Sequence, residues 1–281
     1  MTKLFKIGDF CFSVTYPEEL SPPKNFMLFE VAEGTPEYTY SIMTVSELPS
    51  PQGEIIARRE DIVVCGNNGL EERLIGVKGR GSFYAYYEEV SHEEANIYLD
   101  VSCLGELNID PVFTSLLALE RRLAGRGGLI LHCAYIMHRE EAILFSAPSE
   151  TGKTTQANLW EKYRGSKTVN GDRALLQCLE GRWTAQGWPV CGTSEICNNT
   201  ALPIRAIVML SQGKDNRARK LTAMEAFPQL YSQITVNSWN RGLVQQSMDL
   251  ICELISGVPV YHLSCTISQE AVDCLDKIVY N

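Results

Sequence analysis

No apolar run in the 281 residues approaches the roughly 20 needed to cross a bilayer, so no transmembrane helix and no membrane partner are expected. The opening "MTKLFKIGDFCFSV" alternates like a strand. It lacks the apolar stretch and cleavage site of a signal peptide, and reads as mature sequence. Basic charge is in deficit: 25 Lys and Arg against 34 Asp and Glu leave a net charge of −9. That balance argues against a generic nucleic-acid or anionic-lipid binder, while leaving room for a local basic patch. Cysteine is plentiful, with ten residues, but lacks pattern: there is no CxxC pair and no zinc-ligand spacing. Reduced thiols in a cytoplasmic protein are the expectation, with Cys252 and Cys274 placed in apolar contexts that suit burial. Internal repeats and low-complexity tracts are also missing.

What is present is an ordinary globular composition with two textures. Residues 1–106 read mostly as strand: "FCFSVTY", "NFMLFEVA", "YTYSIMTV", "DIVVCGN", "EERLIGV", "SFYAYYEEV" and "NIYLDVSCL" are short, aromatic and β-branched, and separated by turn residues. The texture changes near Asn108. "DPVFTSLLALERRLAGRGG" has helical spacing, with Asp110 as N-cap, Pro111 at the first helical position and Gly125 as terminator. "LILHCAYIM" and "AILFSA" follow as strands joined by "HREE" as a hairpin turn. "KTTQANLWEK" predicts a helix, "ALLQCL", "RWTAQG", "IRAIVML" and "PVYHLSC" predict strands, and three amphipathic helices fill much of the C-terminal part. The expected fold is α/β (α+β): a β-rich N-terminal lobe over 1–106, then a mixed-sheet phosphate-loop domain over 107–281.

The strongest chemical signal is Ala147 to Thr154, A-P-S-E-T-G-K-T, which has Walker A spacing with Ala where Gly is usual. An apolar strand precedes it and a helix follows, the context in which backbone N–H groups and a helix dipole make an anion site. Ser149, Glu150, Thr151, Gly152, Lys153, Thr154 and Thr155 are the expected nucleotide-binding residues. Gly152 allows close backbone approach, Lys153 reaches the β- and γ-phosphates, and Thr154 places its hydroxyl on Mg²⁺. Pro148 cannot donate a hydrogen bond, and Glu150 adds negative charge that must point outward or help hold the metal. In "KTVNGDRALL", Asp172 follows the predicted loop helix and is the candidate second metal ligand; read alone, it is equally a turn Asp after Asn-Gly. His132 lies on the strand before the loop strand, as a candidate catalytic group or a core histidine.

Together, "LILHCAYI", "FSAPSETGKTT" and "VNGDRALL" resemble the HPr kinase/phosphorylase and phosphoenolpyruvate carboxykinase family, best over about residues 108–200 and more weakly to the C-terminus. The resemblance implies that Lys153 and Thr154 serve phosphate and metal, that Asp172 is the acid nearer the metal, and that His132 sits by the reacting phosphate. It departs at Gly171, where the family has a first acid often credited as base. Asp172 then does both jobs, or Glu150 or His132 serves as base, or ATP is bound without efficient transfer. A true carboxykinase is nearly twice as long, and no oxaloacetate site is recognisable.

The expectation is an ATP- and Mg²⁺-dependent kinase that moves the γ-phosphoryl group to a hydroxyl on a protein, peptide or small molecule, with Asp172, His132 and Lys153 catalytic and Thr154 and Asp172 holding metal. A non-catalytic ATP-binding regulator is the alternative, and a homo-oligomer is left open. Arg173, Arg205, Arg217, Arg219 and Arg241 are available as γ-phosphate partners, with Arg217 singled out in "DNRARK", a predicted strand-exit loop. "GWPVCGTS" reads as a flexible closing loop or a plain turn. Its Cys191 has no partner that the sequence can place, which disfavours a nucleophile.

Overall fold

The computed structural model describes residues 1–106 and 109–280. The expected lobe boundary and the change of texture at Asn108 fall on residues outside that set, as does Asn281. The chain divides into two compact units, Met1–Leu119 and Glu120–Asn281.

The first unit runs β1 (Thr2–Ile7), β2 (Phe10–Thr15), α1 (Lys24–Met27), β3 (Glu30–Val31), β4 (Tyr38–Val45), β5 (Glu54–Arg58), β6 (Ile62–Asn67), β7 (Leu70–Gly76), β8 (Phe83–Glu89), β9 (Glu94–Asp100), a 3-10 turn (Val101–Glu106) and α2 (Asp110–Ser115). Its strands form one mixed sheet, ordered β3-β1-β2-β4-β9-β8-β7-β6-β5, with β2–β4 and β4–β9 parallel. The aromatic content that predicted strands supplies the core, where Phe5, Phe12, Phe26 and Phe113 are all fully buried.

Three expectations for this region need correction. "NFMLFEVA" is not one strand: α1 occupies Lys24–Met27, and only Glu30–Val31 is extended. Phe26 and Phe29, three apart, are both fully buried while Leu28 is exposed, so helical spacing governs here instead of alternation. "NIYLDVSCL" stops as a strand at Asp100, whose carboxylate accepts hydrogen bonds from the Ser102 amide and hydroxyl and starts the 3-10 turn. The helix over "DPVFTSLLALERRLA" is two pieces, α2 and α3 (Leu119–Ala124), and its N-cap is Ile109 instead of Asp110. The break is at Ala118, which has left-handed backbone (φ 46°). Leu116, Leu117, Ala118 and Leu119 are all buried, a continuous run that no single helix face can present to one core.

The second unit continues with β10 (Leu129–His138), β11 (Glu141–Ser146), α4 (Lys153–Arg164), β12 (Lys167–Asn170), β13 (Arg173–Leu179), β14 (Arg182–Gln186), a short 3-10 turn (Gly192–Ser194), β15 (Leu202–Gln212), β16 (Arg217–Lys220), α5 (Ala223–Tyr231), α6 (Arg241–Gly257), β17 (Val260–Cys265) and α7 (Gln269–Tyr280). The sheet order is β11-β10-β13-β14-β15-β17-β16, and β11 also pairs parallel with β15. The two mixed sheets with their helices make this an α+β protein, as the strand and helix patterns of the sequence predicted.

Alternation along β10 separates the core. Leu129, Leu131, Cys133 and Tyr135 join the cluster under α5 and α6, while Ala134 and Ile136 face the cluster under α4 and α7. "HREE" is a hairpin whose loop is Arg139–Glu140, both left-handed, between His138 and Glu141. The "RARK" part of "DNRARK" is corrected from loop to strand, since β16 pairs antiparallel with β17 at the sheet edge, while Asp215 and Asn216 precede it outside the strand. All ten cysteines are free, and Cys252 is exposed instead of buried because it lies on the outer face of α6. Among the described residues no helix is long and apolar enough to cross a membrane.

Candidate functional site

The site forms where β10 changes partners. Leu129 to His132 pair with β13 and Tyr135 to Met137 pair with β12, while Cys133 to His138 also pair with β11. The Asp172 turn sits in this fork: the Cys133 amide donates to the Asp172 carbonyl at 2.9 Å. Opposite, the Ser146 hydroxyl donates to the His132 carbonyl at 2.8 Å, fixing the end of β11 where the 147–152 loop begins. One strand therefore sets the spacing of His132, Asp172 and the loop.

The loop itself spans Ala147 to Gly152. Glu150 (φ 65°) and Gly152 (φ 119°) both have positive φ, and α4 starts at Lys153. No side chain caps α4, so its first-turn amides are available to an anion. A β-carbon at Gly152 would meet nothing within 4 Å, so the glycine serves backbone conformation and open access instead of tight packing. The Lys153 side chain is buried, its ammonium donating to the Ala147 carbonyl at 3.1 Å and the Pro148 carbonyl at 3.4 Å. Burial holds that ammonium below its ordinary pKa, and the nearby Asp172 carboxylate pulls it partly back up.

A cleft of about 440 Å³ is lined by His132, Ser149, Glu150, Gly152, Lys153, Thr154, Thr155, Gly171, Asp172 and Gly192. It gathers the three catalytic candidates, both metal candidates and all the loop candidates except Thr151. Thr151 lies instead on a second cleft of about 490 Å³, which shares Glu150, Gly152 and Thr155 and is otherwise lined by Gln156, Gln212, Gly213, Cys265, Thr266 and Ile267. The loop thus lies between an ionic cleft and a largely neutral one. Glu150 is exposed on both, and its carbonyl accepts from the Gln212 amide at 3.4 Å.

Asp172 is placed by its neighbours. Fully buried Asn170 accepts from the Asp172 and Arg173 amides at 2.8 and 2.9 Å and donates to the Trp188 and Val190 carbonyls at 2.8 and 3.1 Å. This amide shapes the turn and ties it to the following loop. The Asp172 carboxylate lies 3.5 Å from His132 Nε2 and 3.1 Å from Arg173 Nε. The Arg173 pair is about one-third exposed on the arginine side, so it contributes only about 0–1 kcal/mol and leaves the carboxylate able to exchange partners. His132 is held below its ordinary pKa, first by burial and then by Lys153, with Asp172 opposing. Its imidazole is therefore neutral at pH 7.

Of the five arginines, only Arg173 reaches this carboxylate. Arg205 donates to the Val279 carbonyl, Arg219 pairs with Glu225, and Arg217 is 82% exposed beside Asp215. Arg241 opens α6 on an exposed position. Cys191 is buried, with its thiol directed to the Gly192 carbonyl at 4.0 Å. Among the described residues no group of three or more His, Cys, Asp and Glu could hold a metal ion. A divalent ion held only by Thr154 and Asp172 would need its remaining oxygens from phosphate and water, the habit of Mg²⁺.

Sequence reading missed Gly192, Asn170 and the second cleft. Asn170 carries a local signal, since Asn-Gly-Asp is a turn sequence, but its bonds to residues 188 and 190 are non-local. Gln212 ends β15 and Thr266 and Ile267 follow β17, and nothing in their local sequence indicates that they meet the 147–152 loop.

Fold and site together define an α+β protein in which a strand–loop–helix turn, its helix uncapped by any side chain, faces a carboxylate and an imidazole. The chain belongs to the ScmC family (SynChlorMet cassette protein ScmC), whose profile matches residues 106–280, more than half of its length. No protein of curated function matches it. Among solved structures it is similar to an HPr(Ser) kinase/phosphatase from Coxiella burnetii, at 10% identity over 53% of this chain and 87% of that one, with a TM-score of 0.32.

Proposed function

We propose that the protein is an ATP- and Mg²⁺-dependent phosphotransferase, related to the HPr kinases, that moves a γ-phosphoryl group to a hydroxyl of a protein, peptide or small molecule. The observation that carries this reading is that Lys153 and Thr154 share one cleft with Asp172 and His132. Phosphoryl transfer is mostly positioning and charge neutralisation, and these are the groups it requires. Mg-ATP, when bound, supplies the phosphoryl group and neutralises its charge. The α4 amides and the Lys153 ammonium would hold phosphate oxygens, and Thr154 Oγ1 with an Asp172 oxygen would hold the ion. The other Asp172 oxygen takes the acceptor's proton, with neutral His132 3.5 Å away as a proton relay. Arg173 turns from Asp172 toward the transferring group. The neutral second cleft suits the uncharged end of a nucleotide.

The single carboxylate beside Gly171 favours a second reading, a regulator that binds ATP without transferring phosphate. Incubation with γ-labelled Mg-ATP and a panel of hydroxyl acceptors separates the two. The transferase reading expects label on an acceptor, and it expects Asp172→Asn to lower turnover about 100-fold while ATP affinity changes by less than about threefold. Saturable binding with no label released or transferred under any condition supports the regulator.

A further inference from the structure

Gly171 and the segment over 187–199 fit together in a way that explains the missing acid. A β-carbon at residue 171 would overlap the Ser194 side chain, so the volume a first acid would fill is already taken by the loop. Ser194 is fixed there, its hydroxyl donating to the Cys191 carbonyl at 2.8 Å and accepting from the Ile196 amide at 3.3 Å. Two residues back, Gly192 (φ 59°) comes so close to Asp172 that a β-carbon would lie 3.2 Å from both its Cβ and Oδ1. The rest of the segment is tied down from behind. Asn170 donates to the Trp188 and Val190 carbonyls, Asn170 and Cys197 form a bridge, and Asn198 donates to the Val169 carbonyl at 3.2 Å.

We infer that Ser194, seated in the notch left by Gly171, is a positioning residue that holds the backbone of Gly192 against Asp172 and so fixes the carboxylate toward Lys153 and His132. The loop is then a docked wall of the cleft and not a mobile flap. Gly171 is required there as the socket, and restoring the acid alone would undock the wall. This inference rests on the reading of Asp172 as the working carboxylate. Its physical part, the docking, stands independently of any activity.

The test uses the full chain with Gly171→Ala, Ser194→Gly and the double variant. The first readout is alkylation of Cys191, buried on the docked segment, followed by tandem mass spectrometry that separates it from Cys197. Gly171→Ala is expected to speed Cys191 labelling at least about tenfold, and the double variant to return it to within about threefold of the parent, the non-additivity of residues in contact. Ser194→Gly alone, which introduces no clash, is expected to speed labelling by a smaller factor. It keeps the test valid should Gly171→Ala fail to fold. The second readout is the split between turnover and nucleotide affinity. A carboxylate displaced by about 1 Å is expected to cost Gly171→Ala about 100-fold in turnover with dissociation of Mg-ATP nearly unchanged, and Ser194→Gly and the double variant, which both lack the positioning side chain, are expected to show the same split with a smaller loss. Cys191 labelling unchanged in Ser194→Gly, or labelling not recovered in the double variant, overturns the inference. If labelling behaves as expected and no variant, parent included, transfers phosphate, the docking stands and the transferase reading fails.

Discussion

Three histidines, His132, His138 and His262, have their pKa values lowered from 6.5, each chiefly through burial. Their charged forms are disfavoured in the folded chain, so below pH 6.5 the unfolded chain binds more protons and stability falls as pH drops toward the folded values. The carboxylate of Glu225, lowered from 4.5 to about 2, contributes above 4.5 and loses its contribution only in more acid solution. The window just below pH 6.5 therefore belongs to the histidines. Urea titrations at pH 7.5 and 5.5 should give a lower unfolding free energy at 5.5, and His132→Gln should narrow that difference. A pH-independent midpoint across this range would contradict the burial argument. At this scale much of the site was legible in the sequence. The Gly152-Lys153-Thr154 run stands out through residue type and spacing alone, and Asp172 and His132, on adjoining elements, line the same cleft. The Asn170 bonds to the Trp188 and Val190 carbonyls and the closeness of Ser194 to Gly171 were not legible, because the 187–199 segment meets this turn only in the folded chain.

Elements were legible where one periodicity dominated. The hairpin β10–β11, helix α4 and strand β15 each have a single buried face or are buried throughout, and the structure has them within a few residues of their predicted bounds. Misreadings occurred where local backbone overruled pattern, as at Ala118 and at Phe26–Phe29. The charged "RARK" run was also misread, since as edge strand β16 it buries little, its residues running exposed, intermediate, exposed, exposed. The β10–β11 turn shows the same tension in a measurable form. Arg139 and Glu140 have left-handed backbone (φ 53° and 58°) where Asn-Gly is favoured, and Arg139 stacks on Tyr280 at 4.4 Å while Glu140 is exposed. Replacing Glu140 by Gly relieves left-handed strain of about 1–2 kcal/mol against a backbone-entropy cost of about 0.5–1. A net gain of about 0.5 kcal/mol in denaturant unfolding is expected, and a loss would show that the Glu140 conformation is not strained.

Across the whole molecule, the two units have contrasting contents: an aromatic-cored sheet in one and, in the other, every residue proposed to touch nucleotide. A chain with net charge −9 draws a polyanion only through a local feature, and the only one proposed is the α4 terminus with Lys153 at its head. Family membership in ScmC covers this unit almost entirely and leaves the residues before 106 outside the match. The central claim is that a strand-to-helix loop holds a triphosphate against Asp172 and His132. Calorimetric titration of the full chain with Mg-ATP, set beside Lys153→Ala, tests it most directly. The account predicts saturable one-to-one binding that depends on the metal and weakens at least about tenfold, or 1.4 kcal/mol, without the ammonium. Parent and variant binding Mg-ATP equally well, or neither binding it at all, would contradict it.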